Sequence, residues 1–216
     1  LWLGITEAGQ PFKDLSERDY GRPARDDHSG MLPPKLAQIM INLSGAEKNQ
    51  TLLDPFCGSG TVLTEAMLMN YKNLIGSDIS PKAIGDTEKN IAWIKQHANR
   101  SGNIKLEVLD AQKLSTIFDK NSIGAIVTET YLGPQRGKVD IKKVVIELTT
   151  LYNQVLREME IVLKSGGTIV LALPLFMPAR LCVELKEPAT LKKINSFTYG
   201  RAGQSVWREI IVLKKV

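Results

Sequence analysis

The stretch Asp54-Pro55-Phe56-Cys57-Gly58-Ser59-Gly60-Thr61 carries more chemistry than any other in this sequence. It falls where a short apolar run ends and a helical pattern begins, the place where an open α/β sheet leaves its ligand crevice. Gly58 and Gly60 let the backbone approach a ligand closely and take positive φ where needed. N–H groups at the start of the following helix can hold an anionic group such as a carboxylate. The acid that opens the turn suits an ammonium group. A phosphate-binding loop would carry Lys and then Ser or Thr after its second glycine, where this chain has Thr61-Val62. A dinucleotide fingerprint would place a third small residue three positions beyond Gly60, where the bulky Leu63 stands.

Two further acids stand at strand ends. Asp78, followed by Ile79, lies 18 residues after Gly60, the usual place for a carboxylate that accepts both hydroxyls of a ribose. Asp110, with the backbone at Ala111, can receive an adenine amino group. A lone Asp at a strand end is as readily a helix cap or turn former. Asp54, Asp78 and Asp110 follow three successive strands in register, which favours a ligand. The amino-acid end of methionine carries both charges, so the loop matches S-adenosylmethionine better than a dinucleotide. The expected cofactor set is Asp54, Pro55, Phe56, Cys57, Gly58, Gly60, Thr61, Asp78, Ile79, Asp110 and Ala111.

The elements that must position these residues alternate. Residues 1 to 33 are rich in Gly, Pro, Asp and Arg and read as an arm or linker, with a possible strand at Leu1 to Thr6. Pro34 to Leu43 is a short amphipathic helix with Pro in its first turn. Strands are expected at Thr51 to Asp54, Asn73 to Asp78, Ile104 to Leu109, Ala125 to Thr128 and Thr168 to Leu173. Helices are expected at about Thr61 to Asn70, from Pro81 to about Asn99 and from Ile141 to Lys164. The last of these carries the stripe Val144, Leu148, Leu151, Val155, Met159, Val162 and is ended by Gly166-Gly167. Leu191 to Tyr199 and Ser205 to Leu213 read as an antiparallel hairpin around Gly200 to Gln204. Strands alternating with helices predict an α/β fold with a doubly wound, mainly parallel sheet.

The motif Asp-Pro-Phe-Cys-Gly-Ser-Gly-Thr closely resembles the first motif of the tRNA guanine-N2 methyltransferases that modify position 10, and of the related ribosomal RNA guanine-N2 enzymes. Arg18-Asp19-Tyr20-Gly21-Arg22-Pro23 and Gly30-Met31-Leu32-Pro33-Pro34-Lys35-Leu36-Ala37 resemble the segment that precedes that motif and packs over the methionine end of the cofactor. With Gly76-Ser77-Asp78-Ile79 and the terminal hairpin, the resemblance covers nearly the whole chain. It implies a Rossmann-like class I methyltransferase with a seven-stranded sheet, S-adenosylmethionine as cofactor, RNA as partner, and tRNA as the RNA. Its family often carries an RNA-binding THUMP domain ahead of the catalytic one. The chain opens on Leu1, so a preceding domain is an expectation, with residues 1–33 as the arm that follows it and 34–216 as the methyltransferase domain.

The chain departs from that family at the catalytic motif. Amino-group methyltransferases carry Asp/Asn/Ser-Pro-Pro-Tyr/Phe after the fourth strand, where this chain reads Thr128-Glu129-Thr130-Tyr131-Leu132-Gly133-Pro134. A base amino nitrogen is a poor nucleophile, because its lone pair is delocalised into the ring. Acceptors aimed at its hydrogens favour a pyramidal nitrogen and stabilise the positive charge that develops, and alignment with the methyl carbon supplies the rest. The expected catalytic set is therefore Glu129 as charged acceptor, a carbonyl of Thr130 or Tyr131 as second acceptor, and Tyr131 as a platform for a flipped base. A DNA adenine-N6 or cytosine-N4 methyltransferase is the alternative substrate class, although no insertion is large enough for its target-recognition segment. A catalytically inactive, cofactor-binding RNA module is the alternative to an enzyme, motivated by the missing prolines.

Composition sets the outer bounds. The 216 residues suit one domain, and no apolar run approaches a membrane span, so no membrane partner is expected. The net charge of +5 is compatible with a polyanionic partner. Arg22, Arg136 and Lys138 are the expected RNA contacts, and further basic clusters lie at Lys142 and Lys143 and from Lys192 to Lys215. Cys57 and Cys182 are far apart, which fits a reduced, cytoplasmic protein, and with only two histidines, His28 and His97, no metal site is expected. Trp93 and Trp207 read as core.

Overall fold

Successive residues of each central strand belong to opposite apolar layers, and this dictates the architecture. Leu52 packs on one side and Leu53 on the other. Val127 and Ile126, Val170 and Ile169, Val212 and Ile211 divide in the same way. A strand buried on both faces must lie inside a sheet covered by helices twice over. The computed structural model describes residues 4–7, 9–25, 31–98, 100, 102–134 and 139–216. Its strands are β1 (Thr51–Asp54), β2 (Asn73–Asp78), β3 (Asn103–Val108), β4 (Ile123–Glu129), β5 (Leu163–Phe176), β6 (Leu181–Cys182), β7 (Leu191–Tyr199) and β8 (Val206–Lys215). They form one sheet in the order β3-β2-β1-β4-β5-β8-β7, with β6 pairing the end of β5. β1 to β5 run parallel, whereas β8 is antiparallel to both β5 and β7. This is the Rossmann-like arrangement with a terminal antiparallel hairpin.

The helices are α1 (Phe12–Ser16), α2 (Pro34–Leu43), α3 (Thr61–Leu68), α4 (Pro81–Ala98) and α5 (Ile141–Val162). α2, α3 and α4 cover one face, and α5 covers the other with Val144, Leu148, Tyr152, Val155, Leu156, Met159 and Val162. Asp140 caps α5, its carboxylate accepting from the backbone N–H of Lys142 at 3.0 Å and of Lys143 at 3.3 Å. Within the expected stripe Leu151 yields its buried place to Tyr152.

Three expectations are corrected. α5 ends at Val162, and Gly166-Gly167 lie inside β5 rather than closing the helix. The glycines serve the sheet instead: a Cβ on Gly167 would sit 2.8 Å from the Gly124 carbonyl oxygen of neighbouring β4, at the place where the β4–β5 register shifts. Lys215 closes the helix end, donating from Nζ to the carbonyls of Glu160 at 2.6 Å and Leu163 at 2.7 Å. Of the possible first strand, Gly4 to Thr6 are irregular and Leu1 to Leu3 lie outside the described residues. Trp93 packs at the margin of the core, and Trp207 is half-buried, donating its indole N–H to the Arg201 carbonyl at 3.1 Å. Among the described residues no helix is long and apolar enough to cross a membrane.

The arm is fastened to this body. Arg18 pairs with the buried Glu65 of α3 at 2.6 Å, and Gln38 of α2 donates to the same carboxylate at 2.6 Å. Asn90 of α4 accepts from the Ala24 N–H at 3.0 Å and donates to its carbonyl at 2.9 Å.

Candidate active site

The C-terminal ends of β1, β2 and β4, with the segment after β3, converge on a cavity of about 580 Å³. Pro55, Phe56, Gly58 and Ser59 of the glycine turn line it, with Asp78, Ile79, Asp110, Ala111, Glu129, Thr130 and Tyr131. Glu129, Thr130 and Tyr131 therefore share with part of the expected cofactor set one space of the size that holds a small ligand, whereas Asp54, Cys57, Gly60 and Thr61 do not line it. A smaller recess of about 90 Å³ adjoins it, sharing Phe56, Gly58, Ser59 and Glu129, and is lined also by Asp54, Cys57, Thr61, Met31 and Leu32.

Local chemistry shapes the turn. Gly58 and Gly60 take φ +52° and +83°, where a side chain would be strained, and a Cβ on Gly60 would meet Thr87 at 2.8 Å. Thr87 in return donates to the Gly58 carbonyl at 2.8 Å, and Asn90 donates to the Ser59 carbonyl at 2.8 Å. Asp78 closes the turn from the next strand, accepting from the N–H of Gly58 at 3.0 Å and of Ser80 at 2.9 Å. Its carboxylate is thus fixed at the cavity edge beside Ile79, which is 70% exposed. Asp110 accepts from the N–H of Gln112 at 2.9 Å and caps the short 3-10 turn Ala111–Thr116.

Asp54 sits deeper, only 2% exposed. It accepts from the Thr128 hydroxyl at 2.5 Å and the Phe56 N–H at 3.2 Å. Burial dominates, and with the nearby charges of Asp78 and Glu129 it lifts the carboxyl to about 7 despite those hydrogen bonds. Cys57 is buried and its thiol is pushed well above the ordinary range by burial, so it acts as packing in the turn.

On the opposite wall, Glu129 ends β4 and pairs with Arg208 of β8. Burial raises its carboxyl and the Arg208 guanidinium opposes that rise. Thr130 is buried and donates both its N–H and its hydroxyl to the Ala172 carbonyl, each at 3.1 Å. Tyr131 is 51% exposed, free to face a planar substrate. Its own carbonyl accepts from the Tyr152 hydroxyl, and the Tyr152 ring meets Phe56 edge-on at 6.2 Å. Of the two carbonyls expected as a second acceptor, that of Tyr131 is already engaged.

Arg22 requires a correction. Expected at a phosphate, it is 6% exposed and donates to the Thr61 hydroxyl at 2.6 Å and to Met31 sulfur at 2.7 Å. It pins the arm to the start of α3 rather than facing a polyanion. Arg136 and Lys138, the other expected RNA contacts, lie outside the described residues, as does His28.

Residues 22–199 match the UPF0020 family, described as RMKL-like, methyltransferase domain. The chain belongs to that family. A tRNA (guanine(10)-N2)-dimethyltransferase of Methanothermobacter thermautotrophicus is 30% identical over 189 residues, 88% of this chain and 51% of that protein. Another, of Pyrococcus abyssi, is 28% identical over 221 residues, 99% of this chain and 59% of that protein. The chain thus spans about half the length of these curated relatives. Among solved structures, TrmN from Thermus thermophilus superposes with a TM-score of 0.68 at 23% identity, over 97% of this chain and 55% of that one.

Within this methyltransferase domain, sequence reasoning missed Arg208, Tyr152, Thr128, Thr87 and Asn90, each of which holds a site residue from another element. For Arg208 a signal existed. It shares the strand parity of Ile210 and Val212, both buried in the α2–α4 layer, and a cation in phase with core residues demands a buried counter-charge.

Proposed function

We propose that this chain transfers a methyl group from S-adenosylmethionine to the N2 amino group of a guanine in RNA, with tRNA as the substrate. The observation that carries the reading is the shared cavity: acceptors for a nucleoside and an acceptor for a base amino group line one space. The charge of that space tests the fit. Among the described residues four acids line it, Asp78, Asp86, Asp110 and Glu129, against one cation, Lys82, which pairs with Asp86 at 2.6 Å. Such a lining repels a nucleotide phosphate and favours a cationic sulfonium. Asp78 would accept the ribose hydroxyls, Ile79 would lie against the adenine, Asp110 and Ala111 would receive its amino group, and Asp54 would face the methionine ammonium. Gly58, Gly60 and Thr61 would let the methionine end approach α3, beside Pro55, Phe56 and Cys57.

When bound, the cofactor supplies an electrophilic methyl carbon on sulfur. Glu129 would accept a hydrogen bond from the guanine amino group and stabilise the positive charge that develops on that nitrogen. Thr130 offers a backbone carbonyl to the second amino hydrogen, and the Tyr131 ring stacks on the base. The extra proton leaves the nitrogen after transfer, so no strong base is needed. We place residues 34–216 as the transfer domain and residues 1–33 as an arm, whose Met31 and Leu32 line the methionine recess. A cytoplasmic location agrees with two free cysteines, Cys57 and Cys182.

Labelled methyl transfer to unmodified tRNA, ribosomal RNA and duplex DNA, followed by nucleoside analysis, tests the reading. N2-methylguanosine in tRNA is expected. Label only in duplex DNA would refute it, as would cofactor binding without transfer to any RNA. In the same assay Glu129→Gln should lower turnover roughly 100- to 1,000-fold while cofactor affinity measured by calorimetry stays near wild type.

A further inference from the structure

We propose that Arg208 is a positioning residue for methyl transfer, its guanidinium gripping one oxygen of Glu129 so that the other is aimed at the target amino group. The proposal rests on the reading of Glu129 as the acceptor. It starts from a flexibility problem. Glu129 is followed by Thr130 and Tyr131. A glutamate has one more rotatable bond than an aspartate, and neither following residue fixes the backbone as a proline would. A preorganised acceptor needs both freedoms removed.

The structure removes them with side chains. Thr130 is bound twice to the Ala172 carbonyl, and the Tyr131 carbonyl is held by Tyr152. The Glu129 carboxylate is held by Arg208 through Nε on Oε1. Arg208 is itself 8% exposed and lies opposite Pro174 of β5 and Tyr199 of β7, so the paired strands on both sides fix its backbone. It does not line the cavity that Glu129 lines, so its route to the reacting group is through the glutamate. Its Nη2 also approaches the Met31 carbonyl at 3.5 Å, placing the arm, the acceptor and the last strand around one guanidinium.

Charge gives Arg208 a second task. Burial favours the neutral form of Glu129, and Arg208 is the cation that opposes this. Among the described residues, the titratable groups that line the cavity and its recess with Glu129 are Asp54, Cys57, Asp78, Lys82, Asp86, Asp110 and Tyr131, with Tyr152 bound to the Tyr131 carbonyl. Lys82 is the one cation of that described lining, and the cation that acts on the Glu129 carboxyl is Arg208. Without Arg208, Glu129 would take up its proton at higher pH, and a protonated carboxyl is the weaker acceptor.

The test combines kinetics with a direct view of the carboxyl group. Arg208→Gln should lower turnover on tRNA at pH 7 by up to roughly 100-fold, leave KM for RNA nearly unchanged, and recover part of the loss as the pH is raised to 9. Arg208→Lys, which keeps the charge, should rescue most of it. In protein labelled with carbon-13 at glutamate side-chain carboxyls, the signal lost in Glu129→Gln identifies Glu129. That signal should titrate at higher pH in Arg208→Gln than in wild type. A uniform loss at every pH with an unmoved Glu129 titration would overturn the proposal, as would a gain of activity. Wild-type protein inert toward guanine, with the carboxyl titration still shifted, would instead refute the functional reading and the positioning role with it, while leaving the ion pair established.

Discussion

At the Asp78–Asp110 end of the cavity, bonds to the backbone set the geometry: the Gly58 and Ser80 N–H groups on Asp78, the Gln112 N–H on Asp110, and positive φ at Gly58 and Gly60. At the Glu129–Tyr131 end, side chains from remote elements do the same work: Arg208 from β8 and Tyr152 from α5. The first end is a property of strand–turn–helix units and tolerates variation elsewhere in the chain. The second is a property of the assembled sheet and depends on every strand being in register. A site can therefore keep its ligand-binding half while its reactive half is lost or remodelled by a change far away in sequence.

Substitutions that separate the two ends can break this contrast. The largest effect should come from Gly60→Val. A branched side chain at φ +83° would drive into Thr87, and cofactor affinity should fall at least roughly 100-fold with a stability loss of about 2–4 kcal/mol, read by calorimetry and urea unfolding. Near-normal binding would show that backbone geometry does not define this end. Asp78→Ala should weaken cofactor binding roughly 10- to 100-fold through lost charge-assisted hydrogen bonds, with turnover at saturating cofactor little changed. If turnover falls as much as affinity, the two ends are not separable.

Asp54 lies between the ends and offers a pH test. Its carboxyl is raised to about 7 in the folded protein, so an ammonium facing it should bind about tenfold more tightly at pH 8 than at pH 6. Stability without ligand runs the other way. A raised carboxyl favours the neutral folded form, so stability is greatest at low pH and is lost as the pH rises from the unfolded value toward 7, by at most about 4 kcal/mol. Asp54→Asn should abolish both trends. The smallest effect is expected from Tyr152→Phe, which frees the Tyr131 carbonyl: about fivefold lower turnover with unchanged cofactor affinity.

The same contrast explains what could be read from the sequence. β1, β2 and the span of α2 agree with expectation to the residue, because apolar periodicity and a Pro at the helix start are local signals. Asp54 and Asp78 are legible as strand-end acids for the same reason, whereas β3 stops at Val108 and Asp110 caps the 3-10 turn beyond it. Arg208 reads as part of a basic cluster near the end of the chain; its parity with Ile210 and Val212 points to burial, but nothing local names a partner 79 positions away. Arg22 was misplaced in the opposite sense. It stands in an irregular, polar stretch that reads as solvated, and only the packing of the arm on α3 shows that it is buried, with its Nε unpartnered. The glycine pair in β5 was read as a helix stop because a helix end and a sheet bulge ask for the same residue.

The insertion of β8 between β5 and β7 has a consequence during synthesis. A ribosome-bound chain could already have folded its nucleoside cradle while the strand bearing residue 208 was still in the exit tunnel. Catalytic competence would then wait until that strand had slid into its slot and brought Arg208 to Glu129.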